Sequence, residues 1–414
     1  MTLTDRKDKE NIDITLPLGW HYSKLKDVVN EAQAGFACGT RSPVGIIQLR
    51  MNNVDTLGNF VWDEYLRVPA EVTNLEKYRL ETGDILFNNT NSTELVGKSA
   101  LFQSYPESVV YSNHFTRIRV NSEYVFPTYV VAWLNWQYNR GTFANLCNRW
   151  IGQSAVKNEI LFDLNIPLPP TLAEQKRISY ILNEKMATIE KARAAAEARL
   201  EAVKALSDSY LRLTFDNKKI QSCPRKRLGD VCEITAKQVD PKKPEYASLP
   251  HVNGENIESG TCRITYLKTA GELGMTSGKY IFNAGNVLYS KLRPYLRKVA
   301  VVDFKGVCSA DMYPISTSKG VIEPDFLAWI LVSDEFTNYA DGESRRARMP
   351  KLNREQLLSW KIPIPSLLSQ HETVSKLSQQ LTRTRKLSDF IRQELETINA
   401  LPAALLKRAF TGGL

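Results

Sequence analysis

Ile166-Pro167-Leu168-Pro169 returns later in the chain as Ile362-Pro363-Ile364-Pro365, and each opens a long run of heptad-like apolar spacing, one ending at Phe215, the other at Phe410. The offset is 196 at the start and 195 at the end, so the copies hold register almost throughout. The segments upstream pair in the same order. Glu81-Thr82-Gly83-Asp84-Ile85-Leu86-Phe87 resembles Asn283-Ala284-Gly285-Asn286-Val287-Leu288-Tyr289, an apolar strand pattern led by a glycine turn. Val110-Tyr111-Ser112 matches Val307-Cys308-Ser309, and Pro127 with Ala132-Trp133-Leu134 matches Pro324 with Ala328-Trp329-Ile330. A period this long marks a duplicated folding unit, so the chain reads as globular unit, helix, globular unit, helix.

The two apolar runs are predicted helices. Thr171-Leu172-Ala173-Glu174 is a capping box, and apolar residues then recur at three- and four-residue steps from Leu182 through Met186, Ile189, Leu200 and Val203 to Leu213. The second run passes through Val374, Leu377, Leu381, Ile391, Ile398 and Leu405 and stops near Gly412-Gly413, residues suited to a helix C-terminus. Pro402 is expected to kink or interrupt its last turns. About 40 residues make a helix of roughly 60 Å, whose stripe cannot be buried alone. The nearest partner is the duplicate, and a pseudo-twofold relation would lay the two antiparallel. The expected fold is α+β: two α/β domains, 1–170 and 217–365, separated and joined by spacer helices 171–216 and 366–414 that form an antiparallel coiled coil. A generic helical hairpin or an oligomerisation coil would show the same periodicity.

At 414 residues with 43% hydrophobic content the chain can bury more than one core. No run approaches the roughly 18 apolar residues of a membrane span, and Met1–Glu10 mixes acids and bases without the apolar centre of a signal peptide, so a cytoplasmic protein with no membrane partner is expected. Six scattered cysteines without a CxxC pair, beside only four histidines, argue against a zinc site or a disulfide framework. The net charge of +9 fits a polyanionic partner.

Pro-Leu-Pro-Pro-x-Leu-Ala-Glu-Gln-Lys-Arg-Ile from Pro167 to Ile178, its degenerate copy from Pro363 to Val374, and the terminal Leu405-Leu-Lys-Arg-Ala-Phe-Thr-Gly-Gly-Leu414 resemble the specificity subunit of type I restriction-modification enzymes. The resemblance spans the whole chain. It implies two target-recognition domains on double-stranded DNA and no catalysis here. Two copies of a methyltransferase subunit using S-adenosylmethionine, and motor-nuclease subunits using ATP and Mg²⁺, would act around this chain. The second copy departs from the pattern, with Gln370-His371 standing where the first has Glu174-Gln175.

The residues agree on the lack of catalytic machinery. No Asn-Pro-Pro-Tyr/Phe or Asp-Pro-Pro-Tyr element for amino-methyl transfer occurs, and Pro169-Pro170 is preceded by Leu168, which cannot orient a base amino group. Gly97-Lys98-Ser99 is like the end of a P-loop, but Ser92 occupies the place of its first glycine. A stand-alone DNA-acting enzyme, or a coiled-coil scaffold indifferent to DNA, are the alternatives.

A sequence reader needs Arg or Lys for guanine, Asn or Gln for adenine, and further cations for phosphates. In the first unit Arg50, Asn52 and Asn53 follow an apolar strand, Asn89 and Asn91 follow the strand Asp84–Phe87, and Lys98 comes after. The run from Arg149 to Lys157 adds Arg149, Gln153 and Lys157. In the second unit Asn253 lies in a polar run, and Lys291, Arg293, Tyr295, Arg297 and Lys298 alternate with aliphatic residues at the matching strand end. Arg345, Arg346, Arg348 and Lys351 precede the return to the helix. Asn-rich strand ends are also turns that cap their own backbone, and charge runs are also solvated faces. His114 reads as packed or hydrogen-bonded, and the lone His251 as a surface residue.

Overall fold

A computed structural model describes residues 16–235, 237–344 and 350–414. Met1–Glu10 and three of the expected DNA contacts, Arg345, Arg346 and Arg348, therefore lie outside the described residues. The chain divides into two compact units, one running to Glu197 and including Gln393–Leu414, the other Ala198–Arg392.

The first unit holds β1 (His21–Lys24), β2 (Val29–Ala34), β3 (Ile46–Leu49), β4 (Leu66–Val68), β5 (Ile85–Asn88), β6 (Thr90–Asn91), β7 (Ser99–Leu101), β8 (Val109–Tyr111), β9 (Phe115–Val120), helix α1 (Pro127–Asn139), the hairpin β10 (Asn148–Trp150) and β11 (Gln153–Ala155), β12 (Asn165–Leu168), and the start of α2 (Leu172–Phe215). A four-stranded sheet is ordered β2-β9-β5-β7, and a three-stranded sheet β4-β3-β8 has β3 and β8 parallel. β5 is buried on both faces, which is why its Ile85-Leu86-Phe87 run is continuously apolar where a one-sided strand would alternate. Ile85 and Phe87 pack in the core that holds Val130, Trp133 and Leu134 of α1, while Leu86 packs with Ile47, Leu49 and Tyr111 of the second sheet. Pro127 starts α1 at a position where its missing N–H would have no partner anyway.

The second unit repeats this plan. Its strands are β13 (Arg225–Arg227), β14 (Cys232–Ile234), β15 (Gln238–Val239), β16 (Pro250–Val252), β17 (Ile257–Glu258), β18 (Arg263–Ile264), β19 (Lys268–Thr269), β20 (Lys279–Phe282), β21 (Val287–Ser290), β22 (Val299–Val301), β23 (Gly306–Cys308), β24 (Met312–Thr317) and β25 (Lys361–Pro363). Its helices include α3 (Pro324–Val332), α4 (Asp334–Ser344) and the start of α5 (Leu367–Phe410). The order β14-β24-β21-β22 matches β2-β9-β5-β7 strand for strand. The parallel pair β16 and β23 matches β3 and β8, with β15 and β20 added to its sheet. Incoming and outgoing strands pair with each other in both units, β1 with β12 and β13 with β25.

Both long runs are helices of 44 residues. In the first unit Leu405, Leu406, Ala409 and Phe410 from the end of α5 join Ile178 and Leu182 from the start of α2, and the Phe410 ring stacks on Trp136 at 5.2 Å. In the second, Leu211 and Phe215 from the end of α2 share a core with Leu377 from the start of α5, and Ser207 Oγ donates to Thr384 Oγ1 at 3.1 Å. The beginning of one helix thus lies beside the end of the other in each unit, which is antiparallel pairing. None of the described helices is long and apolar enough to cross a membrane, and all six cysteines are free.

Three local expectations change. Pro402 does not interrupt α5, which continues to Phe410; the buried Leu405, Leu406, Ala409 and Phe410 anchor the turns beyond it, and that packing outweighs the lost hydrogen bond. Glu174 leaves the capping box half made: its backbone N–H donates to Thr171 Oγ1 at 3.2 Å, while its carboxylate pairs with Arg177 instead of reaching back. The third concerns Gln370, which matches Gln175 rather than Glu174, because the second copy is one residue shorter before its helix. Each glutamine is buried, accepts from the backbone N–H of the residue before α1 or α3 (Phe126 or Glu323, both at 2.9 Å), and donates to a nearby carbonyl, Tyr124 at 3.1 Å or Val321 at 2.9 Å. These paired bonds tie each long helix to its unit.

Candidate nucleic-acid interface

Parallel pairing of β3 with β8 carries both strands to the same end of their sheet, so the turn Arg50–Asn53 and the turn Ser112–His114 emerge side by side. The segment after β5 joins them, since Asn89 N donates to the His114 carbonyl at 3.0 Å and Val156 N donates to the Asn89 carbonyl at 2.9 Å. β11 pairs with β6, which brings the β10–β11 hairpin to the same place. The second unit makes the same joints: Lys291 N to the Asp311 carbonyl and Leu352 N to the Lys291 carbonyl, both at 3.0 Å, with Leu292 bridged to Lys351. Four strand-end segments therefore meet in each unit, and they are the segments in which the expected contacts cluster.

Several of those candidates are committed to the fold. Asn53 is buried, accepts from Arg50 N at 2.9 Å, and donates to the Val61 and Glu64 carbonyls at 2.9 and 2.7 Å. Asn253 caps the matching turn, accepting from Glu255 N and Asn256 N at 2.8 and 3.2 Å. Asn89 donates to Thr116 Oγ1 at 3.1 Å and accepts from Thr90, while Asn91 donates to Asn88 Oδ1 at 2.6 Å and accepts from Ser92 N.

Lys98 and Lys298 form a repeated clasp. Each directly precedes the edge strand of its four-stranded sheet, β7 or β22. The Lys98 ammonium donates to the Met51 carbonyl at 3.1 Å and to the Val54 carbonyl; that of Lys298 donates to the Ile257 carbonyl, at the equivalent turn. Lys98 is only 5% exposed, and burial lowers its pKa from the ordinary lysine value. Lys98→Met keeps the stem and removes the donor, leaving two carbonyls short of a partner. It is expected to cost about 2 kcal/mol, read as a lower urea midpoint for the first unit with an unchanged slope; an unaltered midpoint would return Lys98 to the solvated surface.

Lys291 is also buried, donates to the Ala310 carbonyl and lies 5.2 Å from the centre of the Tyr313 ring. Burial, reinforced by the nearby Lys351 ammonium, lowers its pKa. Arg297 donates to Asp334 Oδ1 at 2.6 Å, at the first residue of α4. The remaining candidates face outward. Asn52, Arg149, Gln153 and Lys157 are exposed in the first unit, and Arg50 is half-buried; Arg293, Tyr295 and Lys351 are exposed in the second. Arg293 stands in left-handed backbone at φ 50°, held by its N–H on the Pro350 carbonyl at 2.9 Å, so Arg293 and Lys351 belong to one strand-end surface.

His114, read from the sequence as packed or hydrogen-bonded, is half-buried at the centre of the first cluster, with Nε2 3.4 Å from Gln153 Nε2, and burial together with the Arg50 guanidinium lowers its pKa. One feature escaped the sequence reading. At the hairpin tip, Trp150 is 61% exposed and Ile151 is fully exposed. Ile151-Gly152 between two short polar-flanked strands was the available signal, a two-residue hairpin turn with Gly152 at φ 77°. His251, expected at the surface, is 2% exposed. No cluster of three or more His, Cys, Asp or Glu side chains able to hold a metal occurs among the described residues.

The family described as Type I restriction modification DNA specificity domain matches the chain twice, over residues 17–198 and 224–397. The specificity subunit of the EcoDI type I restriction enzyme of Escherichia coli is 25% identical over 401 residues, covering 89% of this chain and 85% of that one. Among solved structures, a chain from work on complex assembly and conformational transition of the type I R-M system superposes with a TM-score of 0.76 at 19% identity, covering 97% of this chain and 100% of the other. The HsdS subunit from Thermoanaerobacter tengcongensis superposes with a TM-score of 0.60 at 20% identity, covering 96% and 98%. At those identities the superpositions speak to fold alone, and the fold is the one built above from its repeats. Matched over both units, the chain belongs to the type I restriction-modification DNA specificity family.

Proposed function

We propose that this chain chooses the DNA sequence for a type I restriction-modification complex, each unit reading one half of a bipartite, asymmetric site on double-stranded DNA and the paired helices setting the gap between halves. The observation that carries the reading is a repeated framework with unlike side chains on it. The joint made by Asn89 and His114 in one unit is made by Lys291 and Asp311 in the other, and Arg50 at the start of the first turn has Asn253 as its counterpart. Two scaffolds of one shape bearing different donors and acceptors would recognise two different short sequences. In the first unit the readers are Arg50, Asn52, Gln153 and His114, with Arg149 and Lys157 for phosphates. In the second they are Arg293 and Tyr295, with Lys351 for phosphates.

The chain itself is proposed to be non-catalytic. Two methyltransferase subunits using S-adenosylmethionine, and motor-nuclease subunits using ATP and Mg²⁺, would supply the chemistry. Mapping methylated positions in a genome exposed to the assembled methyltransferase tests the proposal: a split motif with a constant gap is expected, and an unsplit motif or random methylation would refute it.

Salt dependence separates phosphate contacts from structural cations. Lys157→Ala and Lys351→Ala are each expected to reduce the slope of log K against log salt by about 0.9 for the assembled complex. Lys291→Met should leave the slope unchanged, because its ammonium is spent on the Ala310 carbonyl. The reverse pattern would overturn the assignment.

A further inference from the structure

The β10–β11 hairpin presents an apolar edge in a polar neighbourhood. Asn148, Arg149 and Trp150 pair with Ala155, Ser154 and Gln153, leaving Ile151-Gly152 as the turn. Cross-strand partners share a face of the ribbon, so Trp150 and Gln153 lie on one side and Arg149 and Ser154 on the other. Ser154 is 2% exposed, its Oγ 2.8 Å from Thr93 Oγ1, so the second side is the one packed on the unit. The Trp150 side is outward and shared with Gln153, whose amide reaches His114. A Cβ added at Gly152 would meet nothing within 4 Å, so open space surrounds the tip. Neither the indole nor the isoleucine joins a core cluster described for the first unit, so packing among the described residues does not account for their place at the tip.

We propose that the Trp150–Ile151 edge is an apolar wedge that opens one base step within the half-site read by the first unit. The inference rests on the proposed reading of DNA by that unit and adds how the duplex is deformed. Proteins that insert an apolar side chain between base pairs partly unstack them and bend the helix, and an aromatic ring so placed stacks on a base of any identity. The surroundings favour DNA as the occupant over another protein surface. Arg50, His114 and Gln153 adjoin the outward face, while Arg149 on the other face of the hairpin and Lys157 just after it are exposed, a set that would hold phosphates and base edges around an opened step. Flexible pyrimidine–purine steps cost least to open, so the wedged step is expected to be TA or CA/TG. Among the described residues of the second unit no hairpin is equivalent to β10–β11, so the proposal is confined to the half-site read by the first unit.

The test uses the chain assembled with its methyltransferase subunits and a duplex of the mapped methylated sequence, with 2-aminopurine substituted at successive positions in each half. The methylated nucleotide is left out, since methyltransferases extract their target base from the stack. Wild type is expected to raise 2-aminopurine fluorescence several-fold at one step in the first unit's half and at none in the other. Trp150→Ala and Ile151→Gly should abolish that rise and weaken binding about tenfold, the contribution of roughly one stacked base, without changing the methylated sequence. Tight wild-type binding with no rise at any step overturns the wedge and leaves the bipartite reading standing. So does a loss in either variant confined to assembly with the methyltransferase in the absence of DNA. Absence of sequence-selective methylation overturns both.

Discussion

Exchanging residues 217–365 for the corresponding segment of another chain of this family will replace one half of the methylated sequence and leave the other half, base for base, as it was. The expectation follows from how the second unit is attached. β13 and β25 pair with each other, Arg225 opposite Pro363, so the segment enters and leaves at one place. Asn217, just beyond α2, caps its own short turn by accepting from Lys219 N at 2.9 Å. The incoming segment must satisfy two things: an apolar residue where Phe326 meets Phe215 at 6.0 Å, and a backbone N–H where Glu323 donates to Gln370. Both belong to the framework, and framework is what the two units already share. The effect should be large, because each mismatched base pair costs about 1–3 kcal/mol, and two of them already change the preference by a factor on the order of hundreds. Genome-wide mapping of methylated sites before and after the exchange checks it. A change in both halves would mean that the units do not read independently, and a change in neither would remove the second unit from recognition.

The architecture was legible because its signals are local and repeated. Heptad spacing over 44 residues needs no knowledge of what lies across the core, and the Gly83-Asp84 and Gly285-Asn286 turns announce the same strand twice. The side-chain assignments were less legible because they depend on distant backbone. Asn52 and Asn53 are neighbours, yet one is exposed and the other 1% exposed, since a single turn of 3-10 helix sends the second inward to the Val61 and Glu64 carbonyls. Lys98 looks like a surface cation until the chain brings back the carbonyls of Met51 and Val54, more than forty residues earlier. The one-residue shortening before α5 misaligned Gln370 with Glu174. Only the bond each glutamine makes to the residue preceding α1 or α3 restores the true correspondence.

His251 shows the same blindness with a measurable consequence. It pairs with Val307 across the parallel strands, as Gln48 pairs with Val110 in the first unit, and so occupies the same place in the repeat. Gln48 donates to the Phe36 carbonyl at 2.9 Å, whereas neither ring nitrogen of His251 has a partner. Its cross-strand neighbour Val307 packs in a small apolar cluster with Val239 and Ala270, and the buried Lys279 stands nearby with its ammonium on Ser277. Burial, with the Lys279 charge adding to it, pushes the imidazole pKa down to about 4 from 6.5. The unfolded chain therefore takes up a proton near pH 6.5 that the folded unit refuses until about pH 4, and stability falls across that interval as pH falls. The loss should approach about 3 kcal/mol at the acid end. His251→Leu removes the titration together with the two unpartnered nitrogens, so the variant should be the more stable at pH 7 and increasingly so on acidification. Amide hydrogen exchange at Val252 and Cys308, on adjoining strands, reports the second unit's opening directly. A protection difference between variant and wild type that stays flat from pH 7 to 4 would show that the folded unit accepts the proton, and that His251 is not sealed in neutral form.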